Sequence, residues 1–228
     1  MRTLAEQFFT TAEQQQITQT VRQVEQRTAG EIVPMVVSRS HSYPEAELTG
    51  ALALAGPMAL AAAHGLAALF WWPGETLWLF LAGLAVFVPL ARLLLRRMPS
   101  LLRLFLWPER VEEEVARAAL SHFYSQGIQA TRDSTGVLIY ISVLERRVCI
   151  LGDRGINARL GAQVWQDGVD RLVAGIRAQT SCATLCALIE EIGALLATHF
   201  PARADDRNEL DDLMIVDSAT SGRGLLVS

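Results

Sequence analysis

The spacing of polar and apolar positions changes character several times along the chain. Ile17, Val21, Val24 and Thr28 share one helical face. That face is preceded by a Thr10-x-x-Glu13 capping box and followed by Gly30 as a stop signal. The run Glu31-Ile-Val-Pro-Met-Val-Val37 predicts a strand. Pro34 has no N–H to give a ladder and predicts that this strand is an edge or carries a bulge. Leu48 to Trp72 follows, 25 residues without a formal charge, and Leu77 to Ala91 adds fifteen more. Polarity then returns with a helix over Glu109–Gln126, its Val111, Val115, Ala118, Ala119 and His122/Phe123 inward and Gly127 at its end. Gly136–Val143 and Arg147–Leu151 read as two strands joined by Leu144-Glu145-Arg146, the first apolar on both faces and therefore central. Helical spacing predicts two further helices, about Asn157–Ala178 and Thr180–Phe200.

At about 1.5 Å per residue the first uncharged run is ~37 Å long, enough to cross a hydrocarbon layer of about 30 Å with some tilt. The second reaches spanning length as Leu77–Leu95 if Arg92 reaches back to the interface beside Arg96 and Arg97. Trp71, Trp72 and Trp78 cluster around the Pro73-Gly74 turn between them, where amphipathic rings favour a membrane boundary. The chain thus predicts a two-helix transmembrane hairpin over 48–97. An apolar connector over 98–107 lies along the interface or packs under the domain, and a loose tail covers 218–228. The polar stretches 1–45 and 108–217 make one discontinuous α/β domain, because the early strand finds no partner in its own flank.

Charge sharpens this division. Residues 48–107 carry five of the 44 formal charges, and the net charge of −4 comes from the acidic flanks. The Arg residues 92, 96, 97, 103 and 110 lie on the exit side of the hairpin and none lies in its turn, which predicts an inner-membrane protein with both termini cytoplasmic. No cleavable signal pattern is expected in the polar first 45 residues. Three cysteines, an odd number, suit a reducing compartment. The acidic balance, without a basic stripe, argues against nucleic acid as a partner. All 20 basic residues are Arg, which excludes lysine chemistry.

Several of these residues carry a resemblance. Thr28-Ala29-Gly30-Glu31-Ile32, then Gly136-Val-Leu-Ile139, Glu145-Arg146, Val148, Ile150, Asp153 and Gly155-Ile156 resemble the signatures of the TPM domain family, which is shared by thylakoid-lumen, photosystem-repair and receptor-modulating proteins. His199-Phe200-Pro201 followed by Asp206-Arg207-Asn208-Glu209-Leu210 is similar to the bacterial membrane-inserted branch, with Asp211 where that branch usually has Pro. The resemblance covers about 8–45 and 109–216. It implies a three-layer α/β/α sandwich with a small mixed sheet, divalent-cation binding such as Ca²⁺, and in some members a weak acid phosphatase activity.

Asp153 is the residue carried over, just beyond a strand, where a carboxylate can ligate a hard cation. One Asp is not a Ca²⁺ site, since that ion takes six to eight oxygens, so Asp133, Asp206 and Glu209 are named as further donors. The competing reading has Asp153 capping the next turn and the acidic tail solvated. Glu145, Arg146 and Arg147 at the strand connection read either as a surface ion pair or as a docking point. Cys182 and Cys186 share a helical face and read as packing. No cofactor is required by these residues and no catalytic motif is present. The expectation is therefore a non-enzymatic interaction or accessory module at the membrane, with a membrane protein or a second copy as partner. The rival is a membrane-tethered, metal-dependent phosphatase-like hydrolase.

Overall fold

A computed structural model describes residues 3–70, 76–131, 134–159, 162–202 and 210–217. These divide into two units, one from the described residues of 1–41 and 112–228, the other from 42–111.

The first unit opens with two capped helices, α1 (Leu4–Phe8) and α2 (Thr11–Glu25). Each has a reciprocal Thr/Glu capping box, through Thr3 with Glu6 and Thr10 with Glu13, so two backbone N–H groups at each helix start are met locally, while the Ala5 N–H donates to Ser38 Oγ. Strand β1 (Glu31–Val37) follows. Further on, β2 (Gly136–Ser142) and β3 (Arg147–Gly152) form an antiparallel hairpin, and β4 (Met214–Val216) completes a sheet ordered β3-β2-β1-β4. β1 runs parallel to both β2 and β4, so the sheet is mixed.

β1 is thus internal, which corrects the expectation of an edge strand. The reason lies in which way its N–H groups face. The Ile32 N–H donates to Glu25 Oε1 at 3.0 Å, and the Glu31 N–H donates to Thr135 O, on the β2 side. Even-numbered residues of β1 therefore face away from β2. Pro34 turns its missing donor to the side where β4 begins to pair only at Met35, and no ladder bond is lost.

The hydrophobic side chains of Ile32, Val36, Val137, Ile139, Val148 and Ile150 occupy one face of the sheet. Against them pack α2, α8 (Ala162–Arg177) and α9 (Ser181–His199). A Cβ added at Gly193 of α9 would collide with Val24 of α2, so glycine sets how closely these two helices approach. The other face carries Tyr140, whose ring stacks on His122 of α6 (Pro108–Ser125) at 5.8 Å. Gly127, at φ +71°, ends α6 in the left-handed conformation glycine adopts without penalty. The helix expected over Asn157–Ala178 is α8, which begins at Ala162, and a separate short helix, α7 (Arg154–Asn157), capped by Asp153, precedes it. The expected apolar position Leu160 lies outside the described residues.

The second unit is a helical hairpin of α3 (Pro44–Phe70) and α4 (Thr76–Arg97). Ala51, Ala55, Ala59 and Ala63 recur every fourth residue of α3 and are fully buried, so the two helices meet across methyl groups. Of the small residues in the first run, Gly50 faces Phe105 and Leu95 within the hairpin, whereas Ala53 and Pro57 are exposed. Large side chains such as Leu52, Met58, Leu60, Trp78, Val86 and Leu90 point outward. Glu47 is buried and receives Arg96 Nε at 3.0 Å, with Arg92 at 3.8 Å. The next short helix, α5 (Pro99–Leu102), runs into a 3₁₀ turn over Arg103–Phe105; Leu102 is buried, while Leu104 and Trp107 are about three-quarters exposed. Trp71, Trp72 and Gly74 lie outside the described residues.

Among the described residues three helices, α3, α4 and α9, are long and apolar enough to cross a membrane, rather than two. They differ in surroundings: 44% of the apolar window of α9 is buried inside the protein, against 17% for α3 and 6% for α4.

Candidate functional site

The strand connection between β2 and β3 places Glu145 differently from either sequence expectation. Glu145 is not an exposed partner of Arg146; it is buried. Its Oε1 accepts the Ser40 N–H at 2.8 Å, and its Oε2 accepts the Ser142 hydroxyl. Ser40 Oγ in turn donates to Ser142 Oγ at 2.9 Å and lies 3.1 Å from the Tyr140 hydroxyl. The turn reaches this position because the Val143 and Leu144 N–H groups donate to Val37 O and Ser38 O, extending the β1–β2 register past the strand ends. Arg146 takes φ +54° to bring the chain back into β3 and is exposed, as is Arg147. The buried network of Ser40, Tyr140, Ser142 and Glu145 was missed in the sequence. Its signal was present, since Tyr140 and Ser142 are the polar-tipped residues of an otherwise apolar strand, two apart and so on one face.

Tyr140 is desolvated by burial, which raises its phenol well above the ordinary range. Burial also holds His122 below its ordinary value, and neither of its ring nitrogens has a hydrogen-bond partner among the described residues. Burial thus favours a neutral imidazole stacked against a protonated phenol on this face. Ser142 directs its hydroxyl to the buried Glu145 carboxylate, so its donor is spent within the network.

At the opposite end of the sheet, Asp153 caps α7. Its N–H donates to Gly136 O, its Oδ1 accepts the Arg154 N–H at 2.6 Å, and its Oδ2 is buried with no hydrogen-bond partner among the described residues. Both sequence readings thus keep a foothold: one oxygen caps and the other is left over. A single oxygen does not make a cation site, and no group of three or more His, Cys, Asp or Glu is disposed to hold a metal among the described residues. Asp133, Asp206 and Glu209 lie outside the described residues.

A second acidic group surrounds the start of β1. Burial pushes the Glu25 carboxyl up to about 8, and the nearby carboxylates of Glu31 and Asp212 add to the shift. Asp212 is also bound to Arg22 at 2.8 Å. Cys182 and Cys186 are buried in the core beneath α2; burial raises the Cys182 thiol to about 11, which makes it an inert packing group.

The sequence matches no protein-family model and no curated protein. Its fold is similar to the NMR structure of the BA42 protein from the psychrophilic bacterium Bizionia argentinensis, at 19% identity and a TM-score of 0.55, over 92% of this chain and 95% of that one.

Proposed function

We propose that this protein is an integral membrane protein anchored by α3 and α4, whose α/β unit acts in the cytoplasm as a non-enzymatic interaction or accessory module. The observation that carries the membrane part is the inside-out packing of the hairpin. Alanine lies between the helices, while Leu, Met, Trp and Val side chains face outward along both. Water would penalise such a surface, since monomeric soluble proteins rarely expose contiguous apolar patches beyond a few hundred Å². Lipid does not penalise it, and small residues between helices are what close packing in lipid requires. α9 is not a third span in this reading, because its apolar side chains already fill the core between α2 and the sheet. Two spans return the chain to its starting side, and the arginines that follow α4 favour the cytoplasm for both flanks.

The α/β unit is read as a TPM-like three-layer sandwich: α2, α8 and α9 on one face, and the C-terminal part of α6 on the other. The non-enzymatic reading rests on the site chemistry. The polar atoms of the buried Ser–Tyr–Glu network are bound to one another, and Asp153 offers one spare oxygen. The rival, a metal-dependent phosphatase, draws on that same Oδ2 and on the divalent cation implied by the family resemblance.

Two measurements test this reading. A phosphomonoester such as p-nitrophenyl phosphate, offered with and without Ca²⁺ or Mg²⁺, is expected to remain uncleaved. Metal-dependent turnover that disappears in Asp153→Ala would replace the module reading with the phosphatase. Membrane-impermeant labelling of single-cysteine variants in intact cells is expected to reach a cysteine at Gly74 and to miss one at Ser218; the reverse pattern ends the topology.

A further inference from the structure

The sheet ends at β3 with an edge left open inside a groove. The Asp153 N–H to Gly136 O bond fixes which groups of β3 face β2. Counting back in the antiparallel register, Leu151, Cys149 and Arg147 turn their N–H and C=O groups toward β2, while Gly152, Ile150 and Val148 turn theirs outward. Gly152 O is met by Asn157 Nδ2 at 2.5 Å. The N–H and C=O of Val148 and Ile150 have no hydrogen-bond partner among the described residues. Such a row is a template for another strand, and natural edges are usually blunted by charge, proline or a covering segment.

Here the row opens into a groove of about 690 Å³ between α6 and α8, the size range of ligand-binding clefts. Val115 and Ala116 of α6 line one wall, together with Cys149, which pairs with Tyr140 on that face. Trp165, Val169 and Val173 of α8 line the other. A strand laid along β3 would send alternate side chains to these two apolar walls. Its backbone would meet Val148 and Ile150.

The groove is also polarised. Trp165 lies against Gly152, and Gly168 against Ile150, so α8 runs antiparallel to β3. Its last residue, Arg177, therefore comes to the same end as Arg147, and neither arginine is in an ion pair among the described residues. Of the acidic residues lining the groove, Asp170 is engaged by Gln166 of its own helix, and Glu112 stands on the α6 wall.

We propose that this groove binds an extended peptide segment of a partner protein by strand addition to β3, with apolar residues at alternate positions and a carboxylate at the Arg147/Arg177 end. The two flanking helices argue against a second copy, since edge-to-edge pairing of two such sheets would bring both pairs of helices into collision. An antiparallel peptide places its C-terminal residue beside the two arginines. Main-chain hydrogen bonds supply affinity and the walls supply selectivity, as in other strand-addition modes. This rests on the interaction-module reading and deepens it by naming the surface and the kind of partner.

The test uses the full chain in detergent micelles and the probe fluorescein-Gly-Thr-Val-Thr-Val-Asp-amide, labelled at its N-terminus, followed by anisotropy. Saturable binding is expected, weakened about tenfold or more when the probe's alternate amides are N-methylated, because that removes its donors to β3. The exposed-site double variant Arg147→Glu/Arg177→Glu is expected to lose about tenfold for the Asp probe and to recover binding with Lys in place of Asp. No saturation up to about 1 mM, equal binding of the N-methylated probe, or indifference to the charge exchange overturns the proposal. So does a stable dimer in sedimentation whose interface protects the Val148 and Ile150 amides from hydrogen exchange. Because phosphomonoester cleavage and topology are measured separately, failure of the probe with those results intact removes the groove and leaves the module reading standing.

Discussion

Glu145 holds three pieces of chain together: the β2–β3 turn, the end of β2 through Ser142, and the segment after β1 through the Ser40 N–H. Its value lies in the acceptors it offers to donors that are themselves buried. Glu145→Ala would strand the Ser40 N–H and the Ser142 hydroxyl, and leaving such groups unpaired costs about 1–3 kcal/mol each. We expect Glu145→Ala to lower unfolding free energy by about 2–4 kcal/mol. Glu145→Gln, which keeps one acceptor oxygen, should recover about half in urea denaturation. Equal effects of the two substitutions would show that the carboxylate acts through charge instead. Glu25 makes a pH prediction. Its folded-state value, raised to about 8 from an ordinary 4.5, means that the folded protein holds this proton more tightly than the unfolded chain. The stability this contributes is fully present below the ordinary value and is lost as pH rises through about 8. Denaturation midpoints should therefore fall as pH rises from about 4.5 to about 8 and level off above that, and Glu25→Gln, which keeps an acceptor for the Ile32 N–H, should flatten that slope. His122 is shifted in the opposite sense, so it opposes this slope, and it acts equally in the wild type and in Glu25→Gln.

Among the elements, α2 and α9 show how a single missing side chain governs packing. Gly→Ala inside a helix ordinarily gains up to about 1 kcal/mol of helix propensity. At Gly193 the added Cβ would meet Val24, and overpacking a tight core costs about 1–3 kcal/mol. Gly193→Ala is expected to be destabilising by about 1 kcal/mol on balance. Combining it with Val24→Ala should cost less than the sum of the two single changes, a coupling that a double-mutant cycle reads directly. The same level explains where sequence reading succeeded and failed. The Thr10 capping box, the α3 and α4 runs, and the β2 and β3 strands were legible because each is written in local spacing. β4 was not, since three residues carry no period and Met214–Val216 becomes a strand only through its bonds to β1. Pro34 misled for a related reason: its cost depends on which side its nitrogen faces, and that is settled by the neighbouring strand.

At the scale of the whole molecule, the hydrophobic cluster between the sheet and α2, α8 and α9 draws its described residues from before Ser42 and after Val111. Replacing residues 42–111 with a flexible linker is therefore expected to give a soluble protein that unfolds in one cooperative transition, with near-ultraviolet dichroism showing fixed aromatic packing. A product that stays soluble but lacks that dichroism would mean that the hairpin is needed to form the core. The intact chain, by contrast, should require detergent for extraction from membranes, because the outward Leu and Trp side chains of α3 and α4 remain apolar however the rest folds.

The sequence by itself determined the two characters of this protein, an α/β part and an apolar hairpin, because helical period, strand alternation and uncharged length are all local properties of the chain. It also marked Asp153 as a strand-end carboxylate. Tertiary structure alone decided that β1 is internal, that Glu145 turns inward, that α9 spends its apolar surface on a protein core, and that β3 leaves an edge open between α6 and α8. Those outcomes depend on which segments become neighbours across a hundred or more residues. Whether a polar group is satisfied, or an apolar face covered, is a property of the neighbour as much as of the residue.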